Sequence, residues 1–157
     1  MCLAACHRTK PQTPSNYKQE DDSLQTMLLL LNQQYAENAE QELTKRVKES
    51  GEPFVLTPAH IWYLKKEKTD LPPIRKRQNI EYVVNIYTLD SVLLLNERAT
   101  IDVGQKQTIN GIDELLPMLK HQEKVIALVP WYQGYGQLGD DIVPPYTNLM
   151  LDLEILN

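Results

Sequence analysis

The sequence predicts an α+β domain, in which a mostly antiparallel β-sheet packs against one short helix. Residues 80–89 are rich in Tyr, Val and Ile, and Asp90-Ser91 can turn this strand back into a hairpin. Residues 148–156 alternate apolar side chains with Asp152 and Glu154, which is the pattern of a strand with one buried face. Between these strands, residues 112–120 have the apolar spacing of a helix.

The length and composition of the chain fit one globular domain with an appendage. It has 157 residues, of which 42% are hydrophobic and 24% are charged. The net charge of −5 is unevenly spread, because residues 1–80 carry 12 Lys/Arg and 10 Asp/Glu (net +2), whereas residues 81–157 carry 4 and 11 (net −7). Since phosphate contacts need Lys and Arg, the acidic second half argues against a nucleic-acid partner.

Residues 21–52 are predicted to form an N-terminal helical segment. Asp22 and Gln25 have the spacing of a capping box, Gly51 is a typical helix stop, and residues 36–38 are a candidate break. Apolar residues recur at helical spacing along one stripe: Leu24, Met27, Leu28, Leu31, Tyr35, Ala39, Leu43 and Val47. We expect this stripe to pack on the domain core or on a partner helix, and the second alternative makes a dimer through this segment possible.

Residues 53–157 are predicted to fold as one domain. A continuous apolar run at 125–129 is typical of a strand buried on both faces. Asn110 is the candidate cap of the short helix, and Pro117 should distort its later part. Residues 130–147 form a long loop of the kind that is usually functional or disordered. Further strands are predicted at 59–64, 92–96 and 100–103, with a loop at 67–73.

Both cysteines, Cys2 and Cys6, lie at the extreme N-terminus, so a disulfide framework and a cysteine metal site are not expected. Leu3-Ala4-Ala5-Cys6 matches the end of a bacterial lipobox. Cys6 is therefore the expected lipid attachment site of a protein in the cell envelope that faces the periplasm. The polar residues 7–20 are expected to be a disordered tether, so that residues 1–20 comprise a lipobox remnant and a tether. The alternative is a frayed terminus with two free thiols on a cytoplasmic protein.

Side chains typical of metal-dependent or nucleophilic catalysis are not grouped in the sequence. The histidines His7, His60 and His121 are scattered, without a second ligand at metal spacing. A G-x-S-x-G elbow and a phosphate-binding glycine loop are both missing. We therefore expect neither a metal nor another cofactor.

Five short motifs follow one another in the second half of the chain. They are Ile109-Asn110-Gly111-Ile112, the apolar strand 125–129, Tyr135-Gly136, Ile142-Val143-Pro144-Pro145 and the closing strand Leu151-Asp152-Leu153-Glu154-Ile155-Leu156. Their order and spacing resemble the FKBP-type peptidyl-prolyl isomerases, over residues 54–157 and most closely over 104–156. The chain also looks like the lipid-anchored subgroup associated with bacterial gliding motility. The resemblance implies an FKBP-like antiparallel half-barrel sheet wrapped around one short helix.

The same resemblance implies a site for a prolyl peptide between helix and sheet. Ile109 corresponds to the residue whose backbone N–H receives a substrate carbonyl, and Tyr135 to the loop tyrosine whose hydroxyl reaches the ligand. The hairpin tyrosine of the family corresponds to Tyr87 only with a shifted register. The apolar substrate-binding positions correspond to Leu94, Ile101, Ile112, Ile142, Val143 and Leu151.

These features predict a prolyl isomerase that assists the folding of exported or envelope proteins. Its partners would be proline-containing peptides or unfolded proteins. The chain has one phenylalanine, Phe54, so the pocket should lack aromatic walls and hold a prolyl ring less tightly. The alternative is an FKBP-fold binding or chaperone lipoprotein with weak or no activity.

Overall fold

A computed structural model of the chain describes the backbone of residues 17–157 and the side chains of residues 23–157. At its centre is a six-stranded antiparallel sheet with the strand order β1-β2-β5-β6-β3-β4. The strands are β1 (Val55–Leu56), β2 (Trp62–Glu67), β3 (Asn79–Thr88), β4 (Leu93–Asp102), β5 (Lys124–Val129) and β6 (Leu149–Ile155). Together with the two helices described below, this sheet confirms the α+β prediction.

One face of the sheet, called the inner face here, carries the main core. The alternation of apolar residues in the neighbouring strands β3 and β6 places every second side chain on this face. Opposite partners share a face, and Leu151 of β6 lies between Ile86 of β3 and Ala127 of β5. The buried inner residues of the two strands are Ile80, Tyr82, Val84 and Ile86 on β3, and Leu149, Leu151, Leu153 and Ile155 on β6.

The short helix α2 (Asn110–Leu115) packs on the inner face and continues as a 3-10 turn, Leu116–Met118. It is shorter than the predicted helix over 112–120, because Pro117 lies at the start of the turn and has no N–H for a longer helix. The prediction of Asn110 as a side-chain cap is wrong. The backbone of Ile109 caps the helix, and the Asn110 amide donates to Gln133 Oε1 instead.

The long helix α1 spans Tyr17–Ser50 and is followed by Gly51, whose φ of 65° is the left-handed conformation of a helix stop. Residues 36–38 do not interrupt it, and residues 17–20 are helical rather than a disordered tether. Residues 1–16, including Cys6, lie outside the described residues.

The described part of the chain divides into two compact units, one that ends at Gln33 and one that spans Gln34–Asn157. In the second unit, α1 packs through the second half of the predicted stripe. Leu43 is fully buried in a cluster with Leu89 and Leu128, and Met150 packs against this cluster. Because Leu128 and Met150 are opposite each other in the sheet, the cluster lies on the outer face, away from α2.

The first half of the stripe is exposed. Leu24, Met27, Leu28 and Leu31 have between 39% and 62% of their surface accessible, and Leu29 and Leu30 are exposed beside them. Among the described residues, neither helix combines the length and the apolar character that a membrane span requires.

Two strands differ from the sequence prediction. β2 begins at Trp62 rather than at residue 59, because Thr57 and His60 form a turn in which Thr57 Oγ1 accepts the N–H of Ile61. β4 is one strand rather than two, because residues 93–102 pair along the whole of β3.

Candidate functional site

Four of the predicted substrate-binding residues come together in one apolar cluster between α2 and the sheet. Ile112 from α2, Leu151 from β6, Ile101 from β4 and Val143 from the long loop all belong to the cluster of buried residues on the inner face. All four are at most 5% exposed. The residues predicted for the floor of the site are therefore aliphatic and buried.

The rim of this cluster is more accessible. Leu94 lies where the pairing of β3 with β4 is irregular, and both Leu94 and its neighbour Leu95 are half-buried against the cluster. Leu95, which is opposite Ile86, is the residue in register with the inner face. Ile142 is 52% exposed and does not belong to the cluster, although it adjoins the buried Val143.

Ile109 presents an unused backbone donor at the rim. Its carbonyl accepts the N–H groups of Ile112 and Asp113 at 3.1 and 3.2 Å, which fixes the peptide at the start of α2. Its side chain packs partly against the cluster. The N–H of Ile109 has no hydrogen-bond acceptor among residues 17–157. Backbone N–H groups in folded proteins almost always have a hydrogen-bond partner. The unpaired N–H of Ile109 is therefore a candidate donor to a ligand carbonyl.

Tyr135 presents a second unused donor. Its ring is half-buried against the cluster, and its hydroxyl makes no hydrogen bond within the described part of the chain. Burial raises the pKa of Tyr135, and the nearby groups Asp140, Glu97 and Tyr82 raise it further. The hydroxyl therefore stays protonated at neutral pH and can donate a hydrogen bond.

The two donors are held on neighbouring segments by the contacts of α2 with the loop that follows β5. The Asn110 side chain donates to Gln133. Ile109 is the residue before Asn110, and Tyr135 lies two residues after Gln133, so both donors are close in sequence to this hydrogen bond. At Gly111 a Cβ atom would lie 2.6 Å from Val129 Cγ1 and 3.2 Å from the Gln133 carbonyl, so only glycine allows this approach.

A tight turn at residues 139–143 places Val143 in the cluster. Asp140 Oδ1 accepts the N–H groups of Ile142 and Val143 at 2.8 and 2.6 Å. Gly139 has φ of 64°, and a Cβ atom there would lie 2.2 Å from the Val143 carbonyl. The turn therefore depends on a glycine and a carboxylate, and it directs Val143 inward while Ile142 faces solvent.

Three groups beside these residues were not predicted from the sequence. Tyr82 is fully buried on the inner face, and its hydroxyl donates to Thr108 Oγ1 at 3.0 Å. Glu97 is opposite Val84 and lies near Tyr82 and Tyr135. Ile86 takes the inner position next to Tyr87. The alternation of β3 was the signal that could have identified Tyr82 and Ile86.

Tyr87 does not contribute to the site. It is opposite Met150, which packs on the outer face, so the shifted register that would bring Tyr87 inward does not occur. Groups of three or more metal-ligating side chains are also missing among residues described by the structure. The arrangement offers an apolar surface and two neutral donors, which suits binding and twisting of an amide rather than bond cleavage.

Residues 74–156, more than half of the chain, match the FKBP-type peptidyl-prolyl cis-trans isomerase family. The chain therefore belongs to this family of enzymes, and the isomerase class implied by the resemblance is confirmed. No curated protein matches the chain.

Several solved structures share the fold. FkpA from Escherichia coli superposes with a TM-score of 0.67 at 19% identity, over 87% of this chain and 65% of FkpA. A peptidyl-prolyl isomerase from Pseudomonas syringae pv. tomato gives 0.65 at 19% identity, over 78% of this chain and 94% of that protein. AtFKBP13 gives 0.61 at 19% identity, over 66% of this chain and 97% of that protein. At these identities the likeness establishes the FKBP-like fold.

Proposed function

We propose that this isomerase catalyses cis-trans isomerisation of Xaa-Pro bonds in exported or envelope proteins as they fold. The observation that carries the proposal is the pair of unused donors, the N–H of Ile109 and the hydroxyl of Tyr135, beside an apolar cluster. Such a site can hold two peptide carbonyls without ionising any group.

The proposed mechanism needs no covalent step. The barrier of about 18–20 kcal/mol comes from amide resonance, which makes the planar amide more polar than the twisted one. A prolyl ring that packs on the half-buried rim next to Ile112 would exclude water from its amide. Loss of this water favours the less polar, twisted state of the amide. The two donors would fix the carbonyls of the flanking residues and so orient the amide for rotation.

Turnover is best measured by exchange NMR on a short Ala-Leu-Pro-Phe-type peptide, which avoids a coupling protease. Ile112→Lys places a charge in the floor and should abolish turnover, whereas Ile112→Val should retain most of it. Tyr135→Phe should reduce kcat/KM about tenfold or less, the value of one hydrogen bond. Circular dichroism of each variant checks that it is folded. No turnover by the folded wild-type chain would contradict the proposal and favour the binding or chaperone alternative.

Lipid attachment at Cys6 is part of the same proposal, together with membership of the lipid-anchored subgroup. The support is the Leu3-Ala4-Ala5-Cys6 motif ahead of a helical segment. In a bacterium that expresses the full gene, an alkyne-labelled fatty acid should label the wild-type protein and Cys2→Ser but not Cys6→Ser. Equal labelling of Cys6→Ser, or no labelling of any of the three, would contradict the anchor. Absence of all label would favour a cytoplasmic protein.

We also propose that the N-terminal helix pairs with a second copy of itself. Residues 23–36 contain no charged side chain, and six apolar residues between Leu24 and Leu31 are exposed. An exposed cluster of apolar side chains is typical of an interaction site, and a two-fold symmetric pair would bury the same residues of both copies. The substitution pair Leu28→Glu and Leu31→Glu should give a monomer in light scattering. Leu138→Glu, at a residue that is 83% exposed elsewhere, is the matched control. A wild-type monomer would contradict the pairing.

A further inference from the structure

The long loop that carries Tyr135 and Val143 is in contact with α1, within residues 34–157. Trp131 begins this loop, and its indole Nε1–H donates to the carbonyl of Tyr35 at 3.3 Å. The next residue, Tyr132, donates its hydroxyl to Glu40 Oε1 at 2.7 Å. Two consecutive loop residues are thereby fixed to helix positions that lie five residues apart.

The far end of the loop contacts the same part of α1. The rings of Tyr35 and Tyr146 are stacked, with centroids 4.7 Å apart and an interplanar angle of 29°. Tyr146 also meets Trp131 edge-on at 4.8 Å. Asn148 donates to Glu42 Oε2 at 2.7 Å. Tyr35 therefore contacts both ends of the loop, since it touches Trp131 and Tyr146.

Hydrogen bonds inside the loop connect these anchors to Tyr135. The N–H of Gly136 donates to the Trp131 carbonyl at 2.9 Å, and the N–H of Tyr146 donates to the Gly136 carbonyl at 3.1 Å. A displacement of Trp131 or Tyr146 is thus transmitted to Gly136, the neighbour of Tyr135. Ala39, which is 4% exposed, lets the helix approach this region closely.

We propose that Tyr35 and Glu40 are positioning residues for the prolyl site, holding the loop that presents Tyr135 and Val143. This inference rests on the proposed function. If the inference holds, the residues needed for activity begin in α1, well before residue 74, where the family match begins. The aromatic contacts bury Trp131 to 8% exposure, so the helix is an integral part of the loop's support.

Kinetics of full-chain variants test this role. Tyr35→Ala removes the stack on Tyr146 and should raise KM about fivefold with kcat within about twofold, because the rim is displaced while the floor is intact. Tyr35→Phe keeps the stack and should behave as wild type. Glu40→Ala should also raise KM, whereas Glu40→Gln retains an acceptor for Tyr132 and should not. Lys45→Ala, on an exposed part of the same helix, is the control.

Amide hydrogen exchange of the loop gives a second test. If Tyr35 only stabilised the fold, the exchange rates of the loop amides would not change selectively. The amides of Gly136 and Tyr146 should exchange at least about tenfold faster in Tyr35→Ala than in Lys45→Ala, while sheet amides are unchanged. Wild-type KM and unchanged loop exchange in Tyr35→Ala would overturn the inference, even if the variant melts at a lower temperature. If the wild-type chain shows no turnover, the proposed function fails, and the loop exchange still decides whether Tyr35 positions the loop.

Discussion

The buried phenol of Tyr82 donates a 3.0 Å hydrogen bond to the hydroxyl of Thr108, the residue that precedes Ile109. Burial is the main cause that raises the pKa of Tyr82, so the phenol remains a neutral donor. The bond joins strand β3 to the segment whose N–H is unused. The position of that donor is therefore set by the core of the sheet and not by the flexibility of a loop.

Tyr82→Phe tests this connection. The variant loses one partly buried hydrogen bond and keeps the ring that fills the core, so the free energy of unfolding should fall by about 1 kcal/mol. The activity should fall as well, since Thr108 and Ile109 gain freedom. Urea unfolding and the exchange assay measure the two effects. Full activity in a destabilised variant would show that the bond has only a structural role.

Gly111→Ala should disturb both the fold and the site. The added Cβ would lie 2.6 Å from Val129 Cγ1, so α2 or the end of β5 must shift. Overpacking of this kind destabilises by about 1–3 kcal/mol. Glu114→Ala, at an exposed position of the same helix, is the control and should change the stability by less than about 0.5 kcal/mol. An unchanged melting temperature in Gly111→Ala would contradict the close contact.

Glu97→Gln should lower the pKa of Tyr135 toward the ordinary value of a tyrosine. The Glu97 carboxylate disfavours the phenolate, and its removal takes away one of the causes that raise this pKa. Activity that depends on the protonated hydroxyl should therefore decline at a lower alkaline pH in the variant than in the wild type. NMR titration of labelled tyrosine measures the shift. Glu154→Gln, on the sheet opposite Lys124, should leave the titration unchanged.

The sheet was predictable because its signals are local. The alternation in β6 and the β-branched residues of β3 identify their buried faces without tertiary information. The same holds for the apolar run of β5, which is paired on both sides. The order of motifs around Ile109 and Tyr135 predicted a site between helix and sheet, and both residues pack partly against the same apolar cluster.

The missed features depend on contacts between distant residues. Whether Ile86 or Tyr87 faces inward is decided by pairing with β6, which follows more than 60 residues later in the sequence. The Asn110 side chain leaves its capping role because Gln133 is within reach. The docking of Tyr35 on Trp131 and Tyr146 joins residues about a hundred positions apart, so helix periodicity alone does not reveal it.

The most direct test of the account removes the N–H of Ile109. The φ of Ile109 is −59°, which proline adopts without strain, so Ile109→Pro deletes the donor while preserving the backbone. Ile109→Ala retains the N–H and loses the side chain, and it serves as the matched control. The measurement is kcat/KM for a prolyl peptide by exchange NMR on folded protein. We predict a value about tenfold lower for Ile109→Pro than for Ile109→Ala. Equal activity of the two folded variants would contradict the role of this donor.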